Sequence, residues 1–361
     1  MNGKIAVFST VALLMLINIS GCSNLFQELP TKYESSPTKI RYNFQYGYQI
    51  NCTGKGDYKI RYMLDLPESD KTLSYNILYP HDYEITSSVN NSFLFWNISE
   101  KDSANYKLGI LAGIESQNFY VSDLTGNNAM TINEISRFFP NLTNQYTRQQ
   151  SILDKKLIDP LDYEISTVGN NIKSTSASNN SFILAKSIFI WLKENTSYKI
   201  HNGIGEVQPA IVTLQKRTGD CDDLSFLYIS LCRSIGIPAR FIRGYLIKSE
   251  EEVTATAHAW VEVFVGNNIG NKGWIPVECA CCSSSIQADI NQNFGLEDAF
   301  HLRLFVDDGS NKSMNISQSG IHVQYFEKID INLESFAIVE NYKVLESKQL
   351  VVTNENKRYF E

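Results

Sequence analysis

Cys221 lies where a loop is predicted to enter a helix, in the segment RTGDCDDL. A cysteine in the first turn of a helix faces the positive end of the helix dipole, which favours thiolate over thiol. Its backbone N–H is not used by the helix and can donate to a developing oxyanion. Asp222 and Asp223 oppose the thiolate by charge repulsion, so a partner base is required. Taken alone, Cys221 could also be a buried structural cysteine or half of a disulfide.

His258 and Glu278 are the candidate partners of this cysteine. His258 lies near the start of the strand-like segment AHAWVEVFV, and GNNIGNKG after it predicts a turn. The next strand, 274–278, is expected to return antiparallel and to bring Glu278 to the same end of the hairpin. A carboxylate there can accept a hydrogen bond from the imidazole and fix its tautomer. Taken alone, His258 could also be a structural strand histidine.

The elements that must position these residues can be read from local signals. A helix is predicted from Asp222 to Ile235, because acids occupy its first turn, Arg233 its last, and Gly236 follows. An apolar run at 181–195 predicts a second, buried helix. Short strands follow the first helix, as in ARFIRGYLI and WIPVECA. Helix followed by antiparallel strands predicts an α+β domain.

Three segments together resemble the transglutaminase-like superfamily, relatives of the papain-like thiol proteases. They are RTGDCDDLSFLYISLCRSIGIPARFIRGY, AHAWVEVFV and GWIPVE. The resemblance implies a papain-like core, a helix bearing the cysteine packed on an antiparallel sheet, over about 175–325. It also implies that the family's Cys-His-Asp triad maps onto Cys221, His258 and position 278. This chain has Glu278 where the family most often has aspartate, which keeps the charge and adds one methylene.

The resemblance implies a thiol protease, deamidase or transglutaminase that acts on protein or peptide amides through a thioester. The alternative is a non-catalytic surface binding or scaffold module with a degenerate domain. We expect no cofactor and no required metal. Calcium-ligand spacing is absent, and the cysteines at 279, 281 and 282 lack the second pair of ligands that a zinc site needs. Free or disulfide-bonded thiols remain the two readings of this cluster.

Other residues with chemical potential carry weaker signals. Trp191 could wall the cleft or reach the oxyanion, although a helical core position explains it as well. Arg240 and Arg243 are expected to form structural ion pairs near the acidic GDCDD turn, with a substrate role as the alternative. No constellation of partners is visible around the remaining histidines, which are His81, His201, His301 and His322.

The N-terminus resembles an export signal with a lipid-attachment site. Lys4 precedes an apolar run, and Ser-Gly-Cys follows that run at 20–22. Residues 1–21 are therefore predicted to be a lipoprotein signal peptide, with Cys22 as the lipid-modified residue of a membrane-anchored protein at the cell surface. The alternatives are an uncleaved anchor helix and an ordinary secreted protein. The segment 22–39 is polar, contains two prolines and reads as a tether.

Replacing Cys22 with serine tests this prediction. The Cys22→Ser protein is expected to leave the membrane fraction, because it can no longer carry a lipid. Cell fractionation and immunoblotting give the measurement. Retention of Cys22→Ser in membranes would mean that the apolar run remains as a span.

The rest of the chain is predicted to be packing structure rather than chemistry. Period-2 alternation with frequent turn residues predicts an N-terminal β-sandwich over 40–117. A mixed connecting region follows at 118–174, and the C-terminal extension at 326–361 is hard to assign. The net charge of −7, without a long basic run, argues against nucleic acid as a partner. The oligomeric state cannot be read from the sequence.

Overall fold

The computed structural model describes residues 29–88, 90–200, 207–249, 252–318, 320–325 and 328–361. The predicted signal segment and Cys22 lie outside these ranges, as does His201. Among the described residues, no helix is both long and apolar enough to cross a membrane.

Helices and strands alternate along most of the described chain. The helices described there, α1 to α8, are Ile132–Phe138, Pro140–Tyr146, Tyr163–Ser176, Ser181–Asn195, Ala210–Lys216, Cys221–Ser234, Ile286–Asn293 and Asn311–Ser317. The strands described there, β1 to β17, are Thr31–Asp65, Thr72–Ile77, Tyr83–Ser88, Asn91–Gln117, Phe119–Tyr120, Gln150–Ile152, Lys155–Ile158, Ser197–Tyr198, Thr218–Gly219, Ala239–Ser249, Val253–Phe264, Trp274–Val277, Leu296–Glu297, His301–Val306, His322–Tyr325, Ile329–Val352 and Arg358–Phe360.

A large antiparallel sheet is built around the long strands β1 and β4. These two strands pair from Lys39 opposite Gln117 to Asp65 opposite Phe93. Burial alternates along β1, where Tyr42, for example, is enclosed and its neighbour Arg41 is exposed. The period of two in the sequence therefore reports one buried and one more accessible face, as predicted for this region.

The C-terminal segment completes the same sheet. Strand β16 pairs with β1 from Thr31 opposite Val352 to Gly54 opposite Ile329, and β17 pairs with β16. The sheet therefore starts at Thr31, inside the segment predicted as a tether at 22–39, and the segment predicted as a C-terminal extension supplies two of its strands. Partners separated by almost the whole chain leave no local signal, which is why sequence patterning divided them.

A second antiparallel sheet has four strands in the order β12-β11-β10-β14, all from the second half of the chain. Helix α6 packs on it, with Phe226 and Leu227 in one core with Phe241 and Val261. Helix α6 begins one residue earlier and ends one residue earlier than predicted. The architecture is thus α+β, with a cysteine-bearing helix on an antiparallel sheet.

The two sheets share a hydrophobic core, to which Leu302 and Leu304 of β14 contribute. The ring of Phe44 meets Tyr245 edge-on, with 4.9 Å between centroids. The side chain of Asn91 accepts from the N–H of Val306 and donates to its carbonyl, at 2.7 and 2.8 Å. These contacts hold β14, which begins at His301, against the large sheet.

Candidate active site

Cys221 is the first residue of α6, one residue before the predicted start of this helix. A capping box precedes it: Asp220 accepts from the N–H of Asp223, and Asp223 accepts from the N–H of Asp220. Asp223 is buried and also accepts from the backbone N–H of Gln208 at 2.7 Å. The turn before the thiol is therefore held by side-chain hydrogen bonds that satisfy the unpaired N–H groups of the helix start. Cys221 is a free, half-buried cysteine, which excludes the disulfide reading in this structure.

His258 and Glu278 are in direct contact. The Nε2–H of His258 donates to Oε2 of Glu278 at 2.6 Å, and both side chains are almost fully enclosed. Strand pairing explains this, because β11 and β12 are in register from Phe264–Trp274 to Val261–Val277. Glu278 follows immediately after β12 and reaches the end of the hairpin where His258 lies. The contact anticipated from the turn and the strand faces is present.

The Cys221 sulfur lies against the same stretch of β11. The backbone N–H of Ala259, the residue after His258, acts on the Cys221 thiol and favours its thiolate, which works to lower its pKa. On the other side, Oδ1 of Asp222 is 3.8 Å from Sγ. Helix α6 thus places the Cys221 thiol beside the part of β11 that carries the His258 imidazole.

The surroundings of Cys221 favour the neutral thiol. Burial raises the pKa of the Cys221 thiol, and the carboxylates of Asp222 and Asp220 raise it further. The Ala259 N–H acts in the opposite direction but does not reverse the shift. The sequence predicted competition between the helix dipole and the adjacent acids; in the folded protein, loss of solvation is the largest effect.

Glu278 is held as a carboxylate. Its Oε1 accepts from the backbone N–H groups of Ala280 at 2.6 Å and Cys281 at 3.3 Å. Burial opposes its ionisation, but the charges and hydrogen bonds of His258 and His301 outweigh burial and hold the pKa of Glu278 well below its usual value. The group beside His258 is therefore a fixed negative charge.

His301 corrects the sequence analysis, which saw no partners around it. Its Nε2 lies 3.1 Å from Oε2 of Glu278, and its Nδ1 lies 2.7 Å from Oδ1 of Asp298. The signal was present in part, because the strand-like segments HLRLFV and AHAWVEVFV each carry a histidine at or near their start. What the sequence could not show is that His258, which lies in the middle of β11 rather than at a strand end, and His301, at the start of β14, come together.

Three of these side chains have the types and spacing of metal ligands. The candidate ligand atoms of His258, Glu278 and His301 lie within 4.8 Å of one another. Two histidines and a carboxylate can bind zinc. Hydrogen bonds among the three already account for their positions, so their arrangement does not require an ion.

The cysteine cluster after Glu278 consists of free thiols. Cys279 is buried, Cys281 is half-buried and Cys282 is exposed, and none of the three is in a disulfide. Lys193 of α4 donates to the carbonyl of Cys279 at 2.8 Å and also to that of Cys281. The segment is therefore fixed through its backbone, and this anchors the loop whose N–H groups bind Glu278.

Tyr198 is a neighbour of the thiol that sequence reasoning missed. Strand β8 pairs in parallel with β9, just before Cys221, and sets Tyr198 opposite Gly219. Burial and the nearby Cys221 and Asp220 raise the pKa of Tyr198 to about 12. No spacing in the sequence links Tyr198 to Cys221, because the two meet only through this short pairing. Trp191, by contrast, packs its ring against the Arg217 guanidinium at 5.1 Å, in line with a packing role.

Arg240 and Arg243 form structural ion pairs, as the sequence analysis expected. Arg240 pairs with Glu262, the residue opposite it in the β10–β11 register, at 2.5 Å. Arg243 pairs with Asp65 of β1. The charge of Arg243 also acts on Asp222 of the GDCDD turn and favours its carboxylate.

Comparison with known proteins agrees with this geometry. The model of the transglutaminase-like superfamily matches residues 169–279. An uncharacterized protein of Mycobacterium leprae (strain TN) is 24% identical over 124 residues, covering 33% of this chain and 43% of its own length. The uncharacterized protein YebA of Bacillus subtilis (strain 168) is 28% identical over 139 residues, covering 34% of this chain and 18% of its own length. The chain therefore spans less than half the length of these relatives.

A solved structure extends the similarity beyond the matched segment. The crystal structure of a proposed cysteine protease from Cytophaga hutchinsonii superimposes with a TM-score of 0.53 at 14% identity. The alignment covers 92% of this chain and all of that one, which shows a shared fold. The helix that bears Cys221, the strand that bears His258 and the strand that leads to Glu278 all fall within the family match. Residues 169–279 of this chain form a transglutaminase-like superfamily domain.

Proposed function

We propose that this protein is a thiol acyl-transfer enzyme that acts on protein or peptide amides. Cys221 is the nucleophile, His258 the base and Glu278 the group that orients and charges the imidazole. The observation that carries the proposal is the buried 2.6 Å hydrogen bond between His258 and Glu278, on the strand whose Ala259 N–H acts on the Cys221 thiol. A free cysteine at a helix start, beside a carboxylate-bound histidine, is the arrangement that nucleophilic catalysis requires.

The first half-reaction joins the substrate acyl group to sulfur. Since Nε2 of His258 is bonded to Glu278, Nδ1 is the atom available for the thiol proton. Sγ attacks the amide carbon while the S–H proton moves to Nδ1. The tetrahedral intermediate then expels its amine, which takes that proton, and leaves a thioester. The backbone N–H of Cys221, unused by the helix, is placed to donate to the oxyanion.

The second half-reaction releases the acyl group. His258 removes a proton from water or from an amine, and the resulting nucleophile attacks the thioester carbon. The Cys221 sulfur leaves and takes that proton back from His258, which restores the thiol and the free base. Water gives proteolysis or deamidation, whereas an amine gives a new amide. Because the raised pKa of Cys221 keeps the resting thiol neutral, deprotonation and attack belong to one step that depends on His258.

The location of this activity is part of the proposal and rests on the N-terminal sequence. Export, lipid attachment at Cys22 and a short tether that ends where β1 begins at Thr31 would place the domain on the outer side of the membrane. Substrates would then be surface or extracellular proteins. Lipid attachment itself is tested by Cys22→Ser.

Labelling with iodoacetamide and peptide mapping test the thiol–imidazole pair. We expect His258→Ala to lower the labelling rate of Cys221 by at least about tenfold, because the base that removes the thiol proton is lost. Cys282 is exposed and provides an internal reference in the same digest. His322→Ala, at an exposed strand position, is the matched control.

Equal labelling of Cys221 in the wild-type and His258→Ala proteins would contradict the proposal. That outcome would favour the non-catalytic alternative, a surface module that keeps the fold without using the thiol. The raised pKa of Cys221 is the observation in favour of this alternative, because an unassisted buried thiol is unreactive.

A further inference from the structure

His301 connects the triad carboxylate to a second acid. Its two ring nitrogens face Glu278 and Asp298, at 3.1 and 2.7 Å, and the imidazole is buried. A histidine with a carboxylate at each nitrogen must carry both protons in order to donate both hydrogen bonds. Asp298, His301, Glu278 and His258 therefore form a continuous chain of charged and hydrogen-bonded groups that ends at the proposed base.

The charge on His301 agrees with this geometry. Burial lowers the pKa of His301, but Asp298 and Glu278 outweigh burial and raise it to about 10. The groups that face the imidazole are Glu278 after β12, Asp298 before β14 and His258 on β11, with the charge of Glu297 also nearby. Two carboxylates thus contact one imidazolium, and they hold the pKa of His301 above the neutral range.

The long side chain of Glu278 requires an additional hydrogen-bond donor to fix its carboxylate. Its side chain has one more rotatable bond than an aspartate would have, so more conformations must be excluded to hold Oε2 beside His258. The backbone N–H groups of Ala280 and Cys281 fix Oε1. A second donor fixes Oε2, and that donor is His301.

The scaffold positions His301 closely. Strand β14 approaches β10 so tightly that a Cβ at Gly244 would lie 1.8 Å from the carbonyl oxygen of Leu302. Gly244 is also the residue paired with His258 across β10 and β11. The ring of His301 lies edge-on to Trp260, 4.9 Å between centroids, and Trp260 is itself held by a 2.9 Å bond to Glu297. The orientation of His301 is therefore determined by packing as well as by its two hydrogen bonds.

We propose that His301, supported by Asp298, is a positioning residue that holds the Glu278 carboxylate in bonding distance of His258. This rests on the proposed function, in which Glu278 orients the base. His301 does not contact the thiol in this scheme; it acts through Glu278. It also shares the negative charge of Glu278, so it limits how strongly that carboxylate favours protonation of His258.

Two consequences separate positioning from simple packing. His301→Phe keeps an aromatic ring against Trp260 but donates no hydrogen bond. We expect kcat to fall about tenfold to a hundredfold with little change in KM, since a misplaced catalytic group costs turnover rather than substrate affinity. The acid limb of the kcat/KM profile should also move to higher pH, because Glu278 then gives its full charge to His258 and favours the imidazolium, which cannot accept the thiol proton.

His301→Gln and Asp298→Asn are more conservative substitutions to be compared with His301→Phe. Glutamine can donate one neutral hydrogen bond to Glu278 and should restore part of the lost kcat while keeping the shifted acid limb. Asp298→Asn keeps one acceptor oxygen, which can take the place of Oδ1 that accepts from His301 and from the N–H of Phe300, and it removes the charge. It should fold normally and lower kcat less than His301→Phe does.

Stability gives a further readout with a defined sign. The folded pKa of His301 lies above the ordinary value of 6.5, so the stabilisation from its charge is fully present below about pH 6.5 and is lost as pH rises towards 10. The melting temperature of His301→Phe should therefore fall furthest below that of the wild type near pH 6. The difference should narrow at pH 9 to 10.

Nitrogen-15 NMR of the wild-type imidazole groups keeps this inference separate from the proposed function. If no substrate is turned over, the acyl-transfer proposal fails, yet the spectrum still shows whether His301 is an imidazolium at neutral pH that deprotonates near 10. A neutral His301 at pH 7 would overturn the inference. So would a His301→Phe enzyme with the wild-type kcat and the wild-type acid limb.

Discussion

Cys221→Ala is expected to abolish turnover of amide substrates, with a loss of at least about 10⁴-fold in kcat. Alanine keeps the helix start and removes the sulfur that forms the thioester in this mechanism. His258 cannot replace it, because its ring is bonded to Glu278 and serves as a base. The capping box of Asp220 and Asp223 does not involve the sulfur, so the fold should be unchanged.

Mass spectrometry of a peptide library containing glutamine gives the measurement. The library is incubated with the protein, with and without a primary amine. Cleavage, deamidation and amine addition each change the mass differently, so the wild-type reaction also identifies the acceptor. Cys282→Ala, which removes an exposed thiol away from the sulfur of Cys221, is the matched control and should react like the wild type. Product formation by Cys221→Ala at the wild-type rate would remove Cys221 from the mechanism.

Local sequence signals identified the elements that carry the site. Helix α4 spans Ser181–Asn195, as its apolar run predicts, and α6 differs from its predicted bounds by one residue at each end. Capping residues, glycine after a helix and period-2 alternation act over a few positions, so they can be read without the fold. The hairpin register that joins His258 to Glu278 belongs to the same category, because the turn and both strands are contiguous in sequence.

Contacts between distant segments could not be read in this way. Arg243 pairs with Asp65, 178 positions away, and β16 pairs with β1 across almost the whole chain. Neither partner differs in its local sequence from an ordinary surface acid or strand. Their pairing is decided by how the two sheets pack, which depends on the whole hydrophobic core rather than on a short window.

The pKa of the Cys221 thiol could not be predicted from local sequence either. A helix start and two adjacent acids are visible in the sequence, and they act in opposite directions on Cys221. Their balance depends on how much water reaches the sulfur, and that is set by packing of β11 and the segments around Tyr198. Burial raises the pKa of Cys221, so the base is more necessary than the helix dipole alone would suggest.

Glu278→Gln is expected to lower kcat by about 10²- to 10⁴-fold while leaving the fold intact. The substitution keeps the length and shape of the side chain. It removes the negative charge that stabilises the imidazolium formed when His258 takes the thiol proton. It also places an amide NH₂ or a neutral oxygen where two histidine N–H groups now donate to a carboxylate.

The Glu278→Asp substitution separates the effect of the carboxylate charge from the effect of side-chain length. Aspartate carries the same negative charge as glutamate but is one methylene shorter. In this protein, His258 and His301 both bond to the carboxylate of the longer side chain. We expect Glu278→Asp to retain more activity than Glu278→Gln and less than the wild type. If Glu278→Gln and Glu278→Asp lose activity equally, geometry rather than charge is decisive.

The protonation of His301 provides an independent check of the Glu278→Gln prediction. With the Glu278 charge removed, Asp298 is the one direct carboxylate partner left for His301, so the pKa of His301 should fall from about 10 while remaining above its ordinary value. Nitrogen-15 NMR titration measures this change without a substrate. Steady-state kinetics of the same Glu278→Gln protein then shows whether losing that charge also slows acyl transfer. Unchanged kcat in a protein whose His301 titration has shifted would show that the carboxylate organises the site but takes no part in the reaction.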